Sequence, residues 1–286
     1  MRFVLTAAWV VSIACSAAIA QQRPLLTDDI DIIPPGSFEV GAGVDFFQGA
    51  RFPLSGIKGD LTRVGDIRVK TGFASNVEFQ IEGVLQNYVA ITSRGPSGTP
   101  IAVNSNSAND FGDFAISTKF KLRNETKSLP ALGFKVGFEL PNSNQTRGIG
   151  TNQINVFGKV IVQKKFGEVR NMTPRLNLMG NVGIEIMTAP TQLFSQNDAF
   201  LYGIAGIYRV TDHLNIVSEI NGRENTRKSA PLGTESIGQF RLGAQVRTSG
   251  LRFDAAGAFG LTKYSPRTGI VFGVTYLTPT VFAPAK

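Results

Sequence analysis

The chain has 286 residues, with 29 Lys and Arg against 21 Asp and Glu, a formal charge of +8, one Cys and one His. A single cysteine excludes a disulfide framework, and a single histidine leaves little for the usual catalytic base or a His-based metal site. No run of about eighteen apolar residues follows residue 20, so no helix beyond that point is built to span a membrane.

Residues 1–20 read as a secretory signal peptide. Met1-Arg2 is a positive start, Val4 to Ile13 is mostly apolar, and Ala18-Ile19-Ala20 is a small-x-small cleavage pattern. Cys15 opens a lipoprotein alternative, although Ser12 stands where such signals want Leu. Cleavage after Ala20 removes the only Cys and the only Trp. An exported chain rarely meets nucleic acid, so the positive charge points to an anionic outer surface or anionic solutes. Residues 21–37 have neither helical nor strand period and end in the turn Pro34-Pro35-Gly36. They are expected to form a periplasmic lead-in. Within them "DDID" (28–31) groups three carboxylates, as calcium ligands or as a solvated acidic stretch. The Asp-x-Asp-x-Asp-Gly loop with a closing Glu is missing, so no metal and no cofactor are expected.

From residue 38 onward apolar and polar residues alternate, the period of a strand with one oily and one wet face. "FEVGAGVDFF" (38–47) is the first such stretch, followed by "GDIRVKTGF" (65–73) and "NVEFQIEGVL" (76–85). "DFAISTKFKL" (113–122), "GFKVGFEL" (133–140) and "INVFGKVIVQ" (154–163) come next. "LNLMGNVGIEI" (176–186), "AFLYGIAGIYRV" (199–210), "LNIVSEI" (214–220), "IGQFRLGAQVR" (237–247), "LRFDAAGAFGL" (251–261) and "GIVFGVTYL" (269–277) complete the set. That makes about twelve strands, many near the nine to eleven residues of a tilted membrane strand.

The connections alternate too. Short links at 74–76, 124–130, 211–213 and 249–250 separate longer polar stretches at 48–60, 91–110, 141–152, 189–198 and 222–233, with 164–174 a longer exception on the short side. Outer-membrane barrels keep this order, with tight periplasmic turns and long extracellular loops. An even number of antiparallel strands can close and leave no unpaired edge for lipid to meet. The expected fold is therefore all-β, a closed antiparallel transmembrane barrel over residues 38–286. A charge facing lipid at mid-bilayer costs about 2–4 kcal/mol. The charged faces should therefore line a lumen: Asp66, Arg68, Lys70, Glu78, Glu82, Lys119, Lys121, Lys135, Glu139, Glu185, Glu219, Arg241, Arg247 and Asp254. Arg51, Lys58, Arg94, Arg147, Arg223, Arg227, Lys228 and Arg267 fall in the outer connections, where they would meet lipopolysaccharide phosphates, anionic solutes or simply water.

"NDFGDFAISTKFKL", "LPALGFKVGFELPNSN" and "GIGTNQINVFGKVIVQKKFG", with "IIPPGSFEVGAGVDFF" at the start, resemble the phenol meta-pathway-like family of bacterial outer-membrane barrels. The resemblance covers residues 30 to 277 and rests on glycine-rich motifs. It implies passive passage of small molecules, hydrophobic or aromatic ones among them. The chain departs from many outer-membrane barrels at its end, where Ala-Pro-Ala-Lys follows Phe282.

Two other readings stay open at the level of sequence. A soluble exported β-sandwich would turn the same oily faces inward as a binding module. A barrel hydrolase would need a nucleophile and base, but His213 lies in the tight "TDH" turn and no acidic pair stands out at the outer ends. The Asn-x-Thr triplets at Asn124, Asn144 and Asn171 carry no information in a bacterial setting. The reading is thus a non-enzymatic outer-membrane barrel, its partners membrane lipid, lipopolysaccharide and a small solute, its oligomeric state open.

Overall fold

The alternation of the sequence becomes one antiparallel sheet that closes on itself. The computed structural model describes residues 23–167, 174–192, 196–248 and 250–283. The residues read as a signal peptide, and Asn171, lie outside these. Strands follow in the order β1 (Phe38–Phe52), β2 (Ile57–Ala74), β3 (Val77–Arg94), β4 (Ser107–Asp110), β5 (Phe114–Arg123), β6 (Ala131–Leu140) and β7 (Asn155–Phe166). Then come β8 (Leu176–Thr188), β9 (Gln196–Arg209), β10 (Leu214–Asn225), β11 (Ile237–Thr248), β12 (Leu251–Gly260) and β13 (Thr268–Leu277). Chain neighbours pair antiparallel, and β1 with β13 closes the ring. Twelve strands are staves of the barrel. The extra one, β4, is a four-residue piece that continues the pairing of β3 above the point where β5 leaves it.

Several staves are longer than the alternation suggests. β2 and β3 each run 18 residues, where 65–73 and 76–85 were expected. The reason is a bulge. Gly65 has φ +67, and the β1–β2 register shifts between Gly41 and Val44. One extra residue resets the alternation, so Arg63 and Asp66, three apart, both point inward and lie 3.8 Å from each other. Alternation read from sequence stops at such a reset. The expected connection 48–60 therefore shrinks to the turn 53–56, and Arg51, Lys58 and Arg94 sit on strand ends rather than in loops. Arg223 likewise belongs to β10.

The wall's two faces differ sharply. Large apolar side chains look outward along every stave, among them Phe46, Phe79, Phe134, Val160, Ile184, Ile204, Phe253 and Phe272. The inward face carries charges, amides and small residues. An apolar exterior of this extent is stable only against lipid, and a sandwich would have buried it. The β-sandwich alternative is thereby overturned. Ile204, 72 % exposed midway along β9, gives a direct check. Ile204→Arg is expected to destabilise the barrel by about 2–4 kcal/mol, read as a lower temperature for the gel-mobility change of the folded protein.

One rim, here the short-link rim, carries the links 75–76, 124–130 and 210–213; the other carries the turn 53–56 and the longer connections 95–113, 141–154 and 226–236. Those connections do not stand upright. The Ser55 hydroxyl donates to the Gly148 carbonyl (2.7 Å), linking the β1–β2 turn to the β6–β7 connection several staves away. Gly98 donates its N–H to Leu54 O (2.8 Å) and lies against Leu232 of the β10–β11 connection. The loops thus meet across the mouth and bury Leu54, Ser55 and Thr234 beneath them.

Candidate functional site in the barrel lumen

Residues 23–37 run into the barrel instead of remaining outside it. Pro34-Pro35-Gly36 turns the chain at the short-link rim, where Gly36 donates to Gly72 O (2.8 Å) and Pro35 bridges Gly72. The path then climbs inward. Ile33 N–H donates to Glu78 of β3 (2.9 Å), and Ile30 N–H to the Gln163 side chain of β7 (2.7 Å). Leu26 and Thr27 N–H groups both donate to the Glu219 carboxylate of β10. Arg241 donates to Pro24 O (2.7 Å), and Gln245 to Arg23 O. A segment with no intrinsic period has found its hydrogen-bond partners on the wall, as buried backbone requires.

Three apolar side chains anchor it. Leu25 sits among Met179, Ala205, Ile207 and Val217, and Ile30 beside Ala131 and Ile161. Ile33 is 3 % exposed. The wall makes room with glycine. A Cβ on Gly133 would lie 1.8 Å from Ile30, and one on Gly43 would lie 2.3 Å from the Arg23 guanidinium.

Charge decides the register. Lys119, Lys135 and Lys159 stand directly opposite one another across β5, β6 and β7. Adjacent like charges repel and each buried ammonium needs a counter-ion. The acidic stretch supplies them: Asp29 to Lys119 (2.9 Å), Asp28 to Lys135 (2.9 Å) and Lys159 (2.6 Å), and Asp31 to Lys165 (2.7 Å). Glu78 and Glu82 of β3 complete the set, at 3.0 Å from Lys119 and 3.4 Å from Lys135. The opposite wall sets carboxylates beside arginines, Arg63 lying 3.5 Å from Asp45. Asp45 (β1), Asp66 (β2) and Asp254 (β12) surround Arg23 at 3.6, 3.4 and 3.8 Å. Segment and wall are thus complementary at both ends.

Beside Leu26 of this segment lies a cavity of about 310 Å³ walled by stave residues. Leu26 forms part of its floor; Arg63, Arg68, Lys159, Glu82, Asp113, Glu139 and Tyr202 line it. Phe47, Ala256, Ala258 and Val271 form an apolar strip on the inner face of β1, β12 and β13.

Of the charges expected in the lumen, Arg68, Lys70, Glu78, Lys119, Lys135, Glu185, Glu219, Arg241 and Asp254 are buried. Lys70 pairs with Glu39 (3.1 Å), Arg68 with Glu82 (3.0 Å), and Glu139 accepts from Asn155 (2.7 Å). Asp66, Glu82, Lys121, Glu139 and Arg247 are the partly buried members, Lys121 and Arg247 near the short-link rim. Of the outer basic residues, Arg51, Lys58, Arg94, Arg147, Arg227, Lys228 and Arg267 are exposed. Arg223 instead turns inward to Glu185 (3.6 Å). His213 is exposed in its turn at the short-link rim. Sequence reasoning missed Arg23, Asp28, Asp29 and Asp31 as lumen residues, together with Asp45, Arg63, Lys159 and Lys165. A usable sign was present: three lysine-bearing strands in succession demand acid from somewhere, and "DDID" was the acid without a role.

No family model and no curated protein matches the sequence. Among solved structures the chain is similar to an outer membrane channel from Pseudomonas putida F1, with 14% identity, a TM-score of 0.63, and 87% of this chain and 98% of that one covered. The fold is that of an outer-membrane β-barrel. The translocator domain of autotransporter NalP from Neisseria meningitidis (12% identity, TM-score 0.47, 86% and 90% covered) is a more distant likeness. So is a mutant of the TodX monoaromatic hydrocarbon channel (11% identity, TM-score 0.40, 87% and 91% covered).

Proposed function

We propose that the protein is an outer-membrane channel for passive passage of small molecules, with no covalent chemistry of its own. One observation carries this reading. The lumen is filled from one rim by a single segment rather than by a wall that closes on itself, so that part of the bore can be vacated without rebuilding the barrel. Small barrels that serve only as anchors fill their interior from the wall. Hydrophobic or aromatic compounds are the solutes implied by the resemblance to the phenol meta-pathway-like family, and the apolar strip around Phe47 gives them a surface inside the lumen. In this reading the short-link rim faces the periplasm, and the exposed basic residues of the other rim lie beside lipopolysaccharide phosphates. Uptake of labelled toluene by cells deprived of the protein tests it. Entry should fall several-fold and return with a plasmid copy; unchanged entry of toluene and of a small sugar alike would sink the channel reading.

A further inference from the structure

We propose that the lysine row on β5–β7 is a binding site for carboxylate-rich solutes, occupied in this structure by the chain's own Asp28, Asp29 and Asp31. The row is positioned by the wall's own strand register. Lys119 and Lys135 are 0 % and 1 % exposed, and they are held in register with Lys159 by backbone pairing. Two wall carboxylates, Glu78 and Glu82, face four lysines, counting Lys165 on the same strand as Lys159. The wall alone therefore carries an excess of positive charge at this place. Among the described residues, Lys159 and Lys165 make ion pairs only with the segment. What fills the site is three carboxylates spaced along a flexible chain. Each lies 2.6–2.9 Å from an ammonium, the distance of a charge-assisted hydrogen bond. Tethering gives such a ligand an effective concentration in the millimolar range, so a free polycarboxylate competes only when the tethered one is weakened or withdrawn. The segment is then an internal mimic of the ligand, and an incoming acid that takes its place holds the barrel vacated.

The test replaces the missing groups from outside. In the full chain, D28N/D29N/D31N keeps the segment's shape and removes its charges. Its folded-to-unfolded gel-mobility transition should fall below that of the unaltered protein. Millimolar citrate should raise it again by several degrees, while potassium chloride of equal ionic strength should not. Adding K159Q/K165Q to that variant should abolish the citrate effect, and the unaltered protein should hardly respond. Where the triple variant does not fold, Asp28→Asn alone serves, since Asp28 bridges Lys135 and Lys159. Citrate acting no better than chloride, or acting equally without Lys159 and Lys165, would overturn the proposal. The readout is binding, so it stands or falls separately from solute passage.

Discussion

Replacing Leu25, Ile30 and Ile33 together by serine raises the single-channel conductance of the reconstituted protein several-fold. These side chains are 1 %, 1 % and 3 % exposed and fill apolar hollows in an otherwise polar wall. Burying each is worth roughly 1.5–3 kcal/mol, so the three together outweigh the thermal energy many times over. Serine forfeits most of that without touching any ion pair. The staves, whose pairing does not involve these residues, should keep the folded gel mobility. Recordings in planar bilayers decide it: a conductance unchanged from the unaltered protein would mean that the segment is not the limiting barrier.

Lys119→Met is the substitution with the largest expected cost in stability. The ammonium is 0 % exposed and neutralises Asp29 and Glu78, themselves 1 % and 0 % exposed. Removing it leaves two buried carboxylates facing each other without their shared cation, a loss of about 3–5 kcal/mol. The penalty comes from the orphaned partners rather than from the worth of the pair. Lys119→Met combined with Glu78→Gln and Asp29→Asn, which removes the charges and keeps an acceptor for Ile33 N–H, should therefore recover most of the loss. Urea unfolding from detergent, followed by gel mobility, distinguishes the two variants. A triple variant as unstable as the single one would show that the charges are needed for the fold itself.

The barrel was legible in the sequence because its two constraints are local and repeated. Each stave alternates by itself, as in "GFKVGFEL", and each link is short or long by its own length. Gly65 marks where this reading ends: a bulge moves Arg63 to the face of Asp66, and residue parity alone cannot place both. The lead-in was illegible for a different reason. Its conformation has no period because its partners lie far away in the chain, 45 positions at Glu78 for Ile33 and 222 at Gln245 for Arg23. Only the register of β5, β6 and β7 brings Lys119, Lys135 and Lys159 into one row. Without that row, "DDID" reads as a solvated stretch or a weak calcium motif. Arg223 shows the same limit in reverse: its place near a long connection suggested the outer surface, and one residue of strand direction turned it to Glu185.

Loops meet across one mouth, the segment enters from the other, and the 310 Å³ cavity beside Leu26 is walled by the staves. Two barriers in series multiply. If each stood aside about 1 % of the time independently, an unobstructed bore would exist for only about one part in ten thousand. A solute therefore gains little from waiting for both. In the proposed channel, a solute would pass by entering this chamber when one barrier lifts and leaving when the other does, like a vessel in a canal lock. Uptake of this kind saturates at high solute concentration, which free diffusion through an open pore does not.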